Sequence, residues 1–288
     1  MRLKNLFKHK SVRVSAVLLF FVLLLGTQYA CLDGLNSDGS ENPINTAIIG
    51  LSANPATLYG NASEDSFIQV NTNLVPDGTP IDFKIEFSSS GLQPQLRGCL
   101  FDSSVTVEDE FAFINYLAGV LIGIGETATV NVSATIHPVD GDEESDFLTM
   151  TLQGVGIAPP TLGPGITVPN AETPDAQDVD VTLIFTTVGI EPGTIAEVSI
   201  SNPTIGTLNG GFEVVEVPVL GSIDSGQFIV EYTAFVGQGG TQIIIAKIQL
   251  QIPPEFFAIC PLITDDDGLI EVVVVITQTV AAPPAEAP

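Results

Sequence analysis

Short apolar runs alternate with polar residues over most of the chain, and Gly, Pro, Asn and Asp separate them. Examples rich in β-branched and aromatic residues are "FIQVNTNLV" (67–75), "IDFKIEF" (81–87) and "LIEVVVVITQ" (269–278). Runs of this length with turn signals roughly every eight to twelve residues are typical of a β-sandwich. Pattern alone leaves "FAFINYLAGVLIGIG" (111–125) ambiguous between helix and strand. The pattern therefore predicts an all-β fold.

Two of these runs predict different environments. The alternation in residues 81–87 indicates a half-buried strand whose core face is formed by Ile81, Phe83, Ile85 and Phe87. The unbroken "VVVVI" run at 272–276 instead predicts a strand that is covered on both faces.

An internal repeat indicates two similar units. "PDGTPIDFKIEFSSSG" (76–91) aligns with "EPGTIAEVSISNPTIG" (191–206) at an offset of 115. The segment 111–136 aligns with 227–252 at an offset of 115 to 116. Because both blocks keep almost the same offset, we predict tandem domains of one fold.

The repeat sets the predicted domain limits. The first sandwich is expected at 46–157 and the second at 169–280, with the Pro/Gly-rich stretch 158–168 as the linker between them. Residues 281–288, "AAPPAEAP", are expected to form a disordered tail.

The N-terminus reads as an export signal. A basic stretch with no acidic residue precedes ten consecutive apolar residues, 16–25, which is the pattern of a secretion signal. This core is shorter than the ~20 residues of a membrane-spanning helix. We therefore predict a signal peptide at 1–30, followed by a flexible Asp/Ser/Gly-rich tether at 31–45.

Cys31 is the predicted attachment point. Ala30 before it suits a lipoprotein signal, although Tyr29 is bulky and Gln28 stands where Leu is usual. The preceding apolar core and the following tether favour lipidation of Cys31. An uncleaved anchor and simple secretion are the alternatives, since residues 14–32 carry no charge.

The charge excludes one class of partner. The chain has 34 acidic and 8 basic residues, a formal charge of −26. From Cys31 onward only Lys84, Arg97 and Lys247 are basic, so this part carries −31. Such a surface repels phosphate backbones, and we expect no nucleic-acid binding.

The sequence resembles a known family. "LSANPATLYGNASEDSFIQV" followed by "VPDGTPIDFKIEFSSSG" (51–91) is similar to the group 1 bacterial immunoglobulin-like domains, which occur in tandem in invasin and intimin. Tyr116, Ala118 and Gly119 match the family's later hairpin motif. The second copy keeps the "PGT" turn (192–194) and "YTA" (232–234) but lacks the opening motif. The resemblance implies immunoglobulin-like sandwiches and a surface protein.

Residues for catalysis are scarce. His137 is the single histidine after the leader, so a Ser-His-Asp triad could use no other imidazole. "DSG" at 224–226 matches an aspartic-protease signature, but those enzymes need two such carboxylates and the chain has one copy. We interpret both as turn residues and expect a protein that is not an enzyme and needs no cofactor.

Calcium is the one metal that the sequence suggests. The acidic clusters 140–146 and 264–269 precede the last strand of each predicted domain. Their carboxylates could serve as ligands, although neither cluster has the spacing of a calcium loop. The candidate ligands are Asp140, Asp142, Asp265, Asp266 and Asp267. The alternative is a pair of solvated hairpin tips.

The remaining cysteines leave two alternatives open. If Cys31 carries lipid, Cys99 and Cys260 remain as a pair. A bond between them would join the two domains, because the repeat gives neither domain a cysteine pair of its own. Otherwise both are buried thiols. Asn61 and Asn131 begin glycosylation sequons, but the resemblance is bacterial and both are interpreted as ordinary polar positions.

The sequence therefore predicts an exported, membrane-anchored surface or envelope protein that serves as an adhesion, spacer or interaction module. Its expected partners are the membrane, through the N-terminus, and other envelope or host-surface proteins. A structural subunit of an extracellular assembly is the alternative. A polysaccharide-binding accessory protein fits less well, because Trp is absent and only four Tyr are present.

Overall fold

A computed structural model describes residues 48–86, 98–137, 143–161, 165–260 and 265–283. All lie in one compact unit that runs from Thr46 to Pro288. Strands dominate this part of the chain, beside one short helix, α1 (Pro254–Ile259), and a 3₁₀ turn (Asp265–Gly268). Within the described ranges, no helix has the length and apolarity needed to cross a bilayer. The all-β prediction is confirmed.

In the described residues of the first half of this unit, nine strands form two sheets. In chain order they are β1 (Ile48–Asn54), β2 (Thr57–Tyr59), β3 (Asp65–Thr72), β4 (Pro80–Glu86), β5 (Cys99–Leu100), β6 (Ser104–Thr106), β7 (Phe111–Leu117), β8 (Thr127–Ile136) and β9 (Glu144–Gln153). Sheet 1 has the order β1-β3-β7-β5, and sheet 2 has the order β2-β9-β8-β4-β6. Pairing is antiparallel except between β2 and β9.

In the second half, ten strands within the described ranges form two further sheets. They are β10 (Gly156–Ala158), β11 (Ile166–Val168), β12 (Val179–Val188), β13 (Ile195–Ile200), β14 (Gly206–Leu208), β15 (Val214–Pro218), β16 (Leu220–Gly221), β17 (Gly226–Ala234), β18 (Gly240–Gln249) and β19 (Leu269–Val280). Sheet 3 has the order β10-β12-β17-β14, with β16 also pairing β17. Sheet 4 has the order β11-β19-β18-β13-β15.

The strand order of both halves is immunoglobulin-like. Such sandwiches place strands A, B, E and D in one sheet and C, F and G in the other. Sheets 1 and 3 have the A-B-E-D order, and sheets 2 and 4 contain G, F and C as neighbours. In each half a short strand also pairs in parallel with the last strand. The two halves are therefore immunoglobulin-like β-sandwiches of the same topology.

Alternating residues along the strands form the apolar cores of the sandwiches. On β4, Ile81 and Phe83 are buried and Ile85 is half-buried, as the alternation predicts. Phe87, assigned to the same face, lies outside the described residues. Tyr116 on β7 and Tyr232 on β17 are both fully buried, which confirms their equivalence in the repeat.

The turn before β4 and β13 also repeats at the predicted offset. Gly78 and Gly193 both have positive φ, 84° and 91°, where glycine has no steric penalty. The Gly78 N–H donates to the Val107 carbonyl, and the Gly193 N–H donates to the Val219 carbonyl. A shared backbone geometry therefore explains the shared "GT" in the two copies.

The repeat alignment is wrong beyond the buried tyrosines. Ile81 pairs with Ile136 across β4 and β8, whereas the equivalent Ala196 pairs with Ile248 across β13 and β18. Ile136 therefore corresponds to Ile248 and not to residue 252. The cause is a connection between β17 and β18 that is four residues shorter than the one between β7 and β8.

The "VVVVI" run is not covered on both faces. Val274 and Ile276 are buried, but Val273 is 50% exposed and Val275 is 61% exposed. β19 therefore alternates like the other strands, and its outward residues are apolar. Apolar identity alone did not reveal that one face of this strand meets solvent.

Residues 156–168 contribute strands to the second half. β10 pairs with β12, and β11, which lies inside the expected linker 158–168, pairs with β19. Sheets 3 and 4 thus begin before residue 169, while the last strand of sheet 2 ends at Gln153.

Candidate functional site

The contact between the two sandwiches, here called the junction, includes a disulfide. Cys99 opens β5 at the edge of sheet 1, and Cys260 follows α1 in the connection between β18 and β19. Their Cα atoms are 5.7 Å apart and their sulfurs are bonded. Cys260 is fully buried and Cys99 is half-buried. The bond joins residues separated by 161 positions and ties one sandwich to the other.

The apolar core of the second sandwich extends across the junction. The cluster that contains the core residues of sheets 3 and 4 also contains four buried residues from the first half, namely Ala62, Leu117, Val120 and Val155. Tyr59 and Cys99 pack against the same cluster. Because close-packed apolar surface resists opening, the two sandwiches cannot separate here without exposing side chains to water.

Among the described residues, two side-chain hydrogen bonds connect the sandwiches. The Asn61 side-chain N–H donates to the Gly189 carbonyl at 3.3 Å, and the Tyr59 hydroxyl donates to the Asp224 carboxylate at 2.7 Å. Asn61 is buried, and its Oδ1 accepts the backbone N–H groups of Ser63 and Glu64. Asn61 thus fixes its own loop and holds it against the neighbouring sandwich.

Gly189 permits the close approach at this point. Its φ is +72°, and a Cβ would collide with the Val155 side chain and lie 2.9 Å from Tyr59 Cδ1. A larger residue would therefore suffer both backbone strain and a clash across the junction.

The junction is also acidic. Burial raises the pKa of the Glu64 carboxyl; the hydrogen bond that it accepts from the Tyr59 N–H at 2.7 Å opposes this, and the nearby Glu191 and Asp224 raise the pKa further. The hydrogen bond to Asp224 raises the pKa of Tyr59 to about 12, with burial as the next cause. Ionised Glu64 is therefore less favourable in the folded chain than in water.

Only some of the predicted calcium ligands lie within the described residues. Asp140 and Asp142 lie outside the described residues. Asp265, Asp266 and Asp267 form the 3₁₀ turn before β19, and Asp267 is half-buried. In the described ranges no three His, Cys, Asp or Glu side chains are grouped to hold a metal ion. Calcium at either cluster stays a prediction, as does lipidation of Cys31, which lies outside the described residues.

His137 is held between two carboxylates on the surface of the first sandwich. Its Nε2 lies 3.0 Å from Asp82 Oδ2 and its Nδ1 lies 3.1 Å from Glu143 Oε1. A hydrogen bond from Ser104, and then the contact with His137, lowers the pKa of Asp82. The order Ser104–Asp82–His137 differs from a catalytic triad, in which the imidazole contacts the serine.

An exposed phenylalanine strip is a second candidate surface. Phe67, Phe111 and Phe113 lie on the solvent side of sheet 1. The Phe67 and Phe113 ring centroids are 5.0 Å apart, and those of Phe111 and Phe113 are 6.1 Å apart, with near-parallel planes in both pairs. The Gln69 amide donates to Asn71 beside them at 2.7 Å. Uncharged aromatic and amide groups thus adjoin each other on a strongly acidic protein.

Among known proteins, the chain is similar only to solved structures. No family model and no curated protein matches the chain. Alignments to solved structures cover most of the chain at low similarity. The D0–D1 domain of intimin matches at 11% identity and a TM-score of 0.27, covering 80% of this chain and 98% of that one.

Two other solved structures are similar to the same degree. The Yersinia pseudotuberculosis adhesin InvE matches at 13% identity and a TM-score of 0.29, covering 82% of this chain and 61% of that one. A chain of the CsuC–CsuE chaperone–tip adhesion subunit complex from Acinetobacter baumannii pili matches at 12% identity and a TM-score of 0.28, covering 80% and 99%. The fold is therefore assigned from the chain's own strand order, and function from its own residues.

Loss of the disulfide should destabilise the folded chain. On the chain-entropy model a bond that closes a loop of 161 residues contributes about 5 kcal/mol. We expect the double variant Cys99→Ser/Cys260→Ser to lose free energy of unfolding of this order in urea titrations. Wild-type protein titrated with reductant should behave like the variant. If the double variant and the reduced wild-type protein both kept the free energy of unfolding of oxidised wild type, the bond would add nothing to stability.

Replacement of Glu64 should change the pH dependence of stability. Because the folded state raises this pKa, Glu64 favours folding below its unfolded pKa, and this contribution is lost as the pH rises through the folded pKa. Glu64→Gln keeps an acceptor for the Tyr59 N–H, so it should stabilise the chain at pH 7 by less than about 1 kcal/mol. The gain should vanish near pH 4 in thermal melts. An equal gain at both pH values would contradict the charge-based explanation.

Proposed function

We propose that this chain is an exported, non-enzymatic surface or envelope protein whose two sandwiches form one stiff adhesion or spacer module. The observation that carries the proposal is the junction. A disulfide, a shared apolar core and two hydrogen bonds all join the same pair of sandwiches. A module that must hold a binding surface at a fixed distance and orientation needs such a joint, whereas independently folding neighbours on a flexible linker do not.

The disulfide also supports export. Disulfides of this kind persist in oxidising compartments and are rare in the cytosol. The signal-like segment 1–30 and the formal charge of −31 after it agree with a soluble module outside the cytoplasm.

Attachment at Cys31 completes the proposal. Lipid on this cysteine, followed by the tether 31–45, would carry the module at the membrane surface and bring it within reach of envelope or host-surface partners. The division into sandwiches at 46–157 and 169–280 and the affinity with group 1 bacterial immunoglobulin-like domains belong to the same proposal.

The mass of the protein extracted from membranes tests these points together. We expect a chain that begins at Cys31, carries a diacylglyceryl and an acyl group, and gains two hydrogens on reduction. A Cys31→Ala variant should lose the lipid mass and leave the membrane fraction, yet keep the reductant-sensitive bond. An intact Met1 with no lipid would exclude the lipoprotein, and an unchanged mass on reduction would exclude the disulfide lock.

Polysaccharide binding is a second candidate function, and the phenylalanine strip favours it. Sugar rings stack their C–H groups on aromatic faces, and amides beside the rings can bond sugar hydroxyls. Phe67 and Phe113 are 45% and 44% exposed, and Gln69 and Asn71 flank them. The sequence argued against such a surface from the scarcity of Trp and Tyr. Exposed phenylalanines on the adjacent strands β3 and β7 provide aromatic rings in place of Trp and Tyr.

Affinity electrophoresis in gels that contain neutral glucans or galactans tests this candidate. Phe113→Ala removes the central ring of the strip, so it should abolish any retardation of the wild-type chain. Phe147→Ala is the matched control, because Phe147 on β9 is 70% exposed but lies on another sheet. Equal mobility of wild type and Phe113→Ala in every gel would exclude the strip as a glycan site.

A further inference from the structure

The inner face of the second sandwich carries two buried glutamines. Gln242 on β18 is fully buried, and Gln278 on β19 is 3% exposed. By strand register, the equivalent positions of the first sandwich hold Val130 and Leu152, which are also buried. Polar side chains thus stand at two core positions that are apolar in the other copy. A buried amide costs free energy unless its atoms are hydrogen-bonded.

The two glutamines are neighbours within sheet 4. Gln242 pairs with Ile276 and Gln278 pairs with Gly240, so the two side chains stand diagonally on the same face of β18 and β19. Diagonal neighbours in an antiparallel pair lie about 7–8 Å apart, a distance that long side chains can span. Both amides therefore share one region of the core, at the opposite end of β18 from the connection that holds Cys260.

Gln278 connects the two sheets of the sandwich through its N–H groups. Its Nε2 donates to the Tyr232 hydroxyl at 2.8 Å and to the Ile205 carbonyl at 3.4 Å. The first bond crosses the core, because Tyr232 lies on β17 of sheet 3. In the first sandwich the backbone N–H of Gly119 bonds the equivalent Tyr116 hydroxyl instead. Gln278 therefore has a structural role that uses its donors but not its carbonyl oxygen.

Three polar atoms of this pair have no protein partner. Among the described residues, four fully buried side-chain nitrogen or oxygen atoms lack a hydrogen bond; three are Gln242 Nε2, Gln242 Oε1 and Gln278 Oε1, and the fourth is Thr187 Oγ1 on sheet 3. The two amides therefore do not bond each other, although they are neighbours. Turning the Gln242 amide over exchanges its nitrogen and oxygen and still leaves one donor and one acceptor. Native cores contain few such atoms, and bound water or an ion usually explains them.

The unpartnered atoms indicate which ligand fits. A cation would bind the two carbonyl oxygens but leave the Gln242 N–H unpaired, and an anion would do the reverse. Water both donates and accepts, and a buried water makes about three hydrogen bonds. We propose that Gln242 and Gln278 form a buried hydration site, in which an ordered water molecule accepts from the Gln242 amide nitrogen and donates to the Gln278 carbonyl oxygen.

This site goes beyond the proposed function and gives the two core glutamines a common role. The water joins β18 to β19, and Gln278 joins both strands to Tyr232 on the opposite sheet. The bridge requires Gly240 to face Gln278, so it specifies the register of the two strands. A slip of β18 by one residue would turn Gln242 to the outer face, where bulk water would hydrate it.

A high-resolution crystal structure of the full chain tests the site directly. We expect a water peak within about 2.7–3.2 Å of Gln242 Nε2 and Gln278 Oε1 in wild type. Gln242→Met, an apolar change of similar length, should remove the peak. Gln227→Met is the matched control, because Gln227 on β17 is exposed, and it should keep the peak. A direct bond between the two amides, a peak bonded to oxygens alone as a cation would be, or a peak that persists in Gln242→Met would overturn the proposal.

A double-variant cycle in urea provides a second readout. Gln242→Met and Gln278→Leu each remove one side of the bridge, so each should lower the free energy of unfolding. The double variant removes both sides and should lose less than the sum of the two single losses. Loss of the bond to Tyr232 accompanies Gln278→Leu in both backgrounds, so it cancels in the cycle. Additive losses would overturn the shared water. Neither readout depends on export, lipid or the disulfide, so failure here would leave the proposed function standing.

Discussion

The disulfide between Cys99 and Cys260 is the constraint on which the arrangement of the two sandwiches depends. Its entropic contribution, about 5 kcal/mol for a loop of this length, exceeds that of the other junction contacts taken one by one. The exposed hydrogen bond from Tyr59 to Asp224 adds about 1 kcal/mol at most. The apolar residues that cross the junction gain from burial only while the two sandwiches stay in register, and the covalent bond keeps them there.

Alternation was enough to predict the class of the fold, but not the position of each strand in its sheet. On β4 the alternating apolar positions correctly predicted the core residues, since one face of the strand is buried and the other meets water. β19 broke the rule, because a strand of a sandwich can carry valines on both faces and still expose those on the outer face to solvent. The repeat failed at one place for a different reason. A shorter connection between β17 and β18 shifted the register while the buried tyrosines kept theirs.

Of the contacts at the junction, the sequence suggested only the possible pairing of the two cysteines. Counting them reduced the pairing to one candidate, but no pattern says whether two residues 161 positions apart approach each other. Asn61 was interpreted as an ordinary polar position, yet it is buried and donates across the junction. Its partner is a backbone carbonyl 128 residues away, and a carbonyl leaves no trace in a sequence. The phenylalanine strip was missed similarly, since its rings come from two strands that only folding brings together.

The junction and the last strand, β19, are physically linked. Cys260 lies in the connection that leads, through the 3₁₀ turn, into β19. The bond that holds the first sandwich therefore also anchors the segment that leads into β19. The disulfide therefore also fixes the direction in which the first sandwich projects from sheet 4, to which β19 belongs.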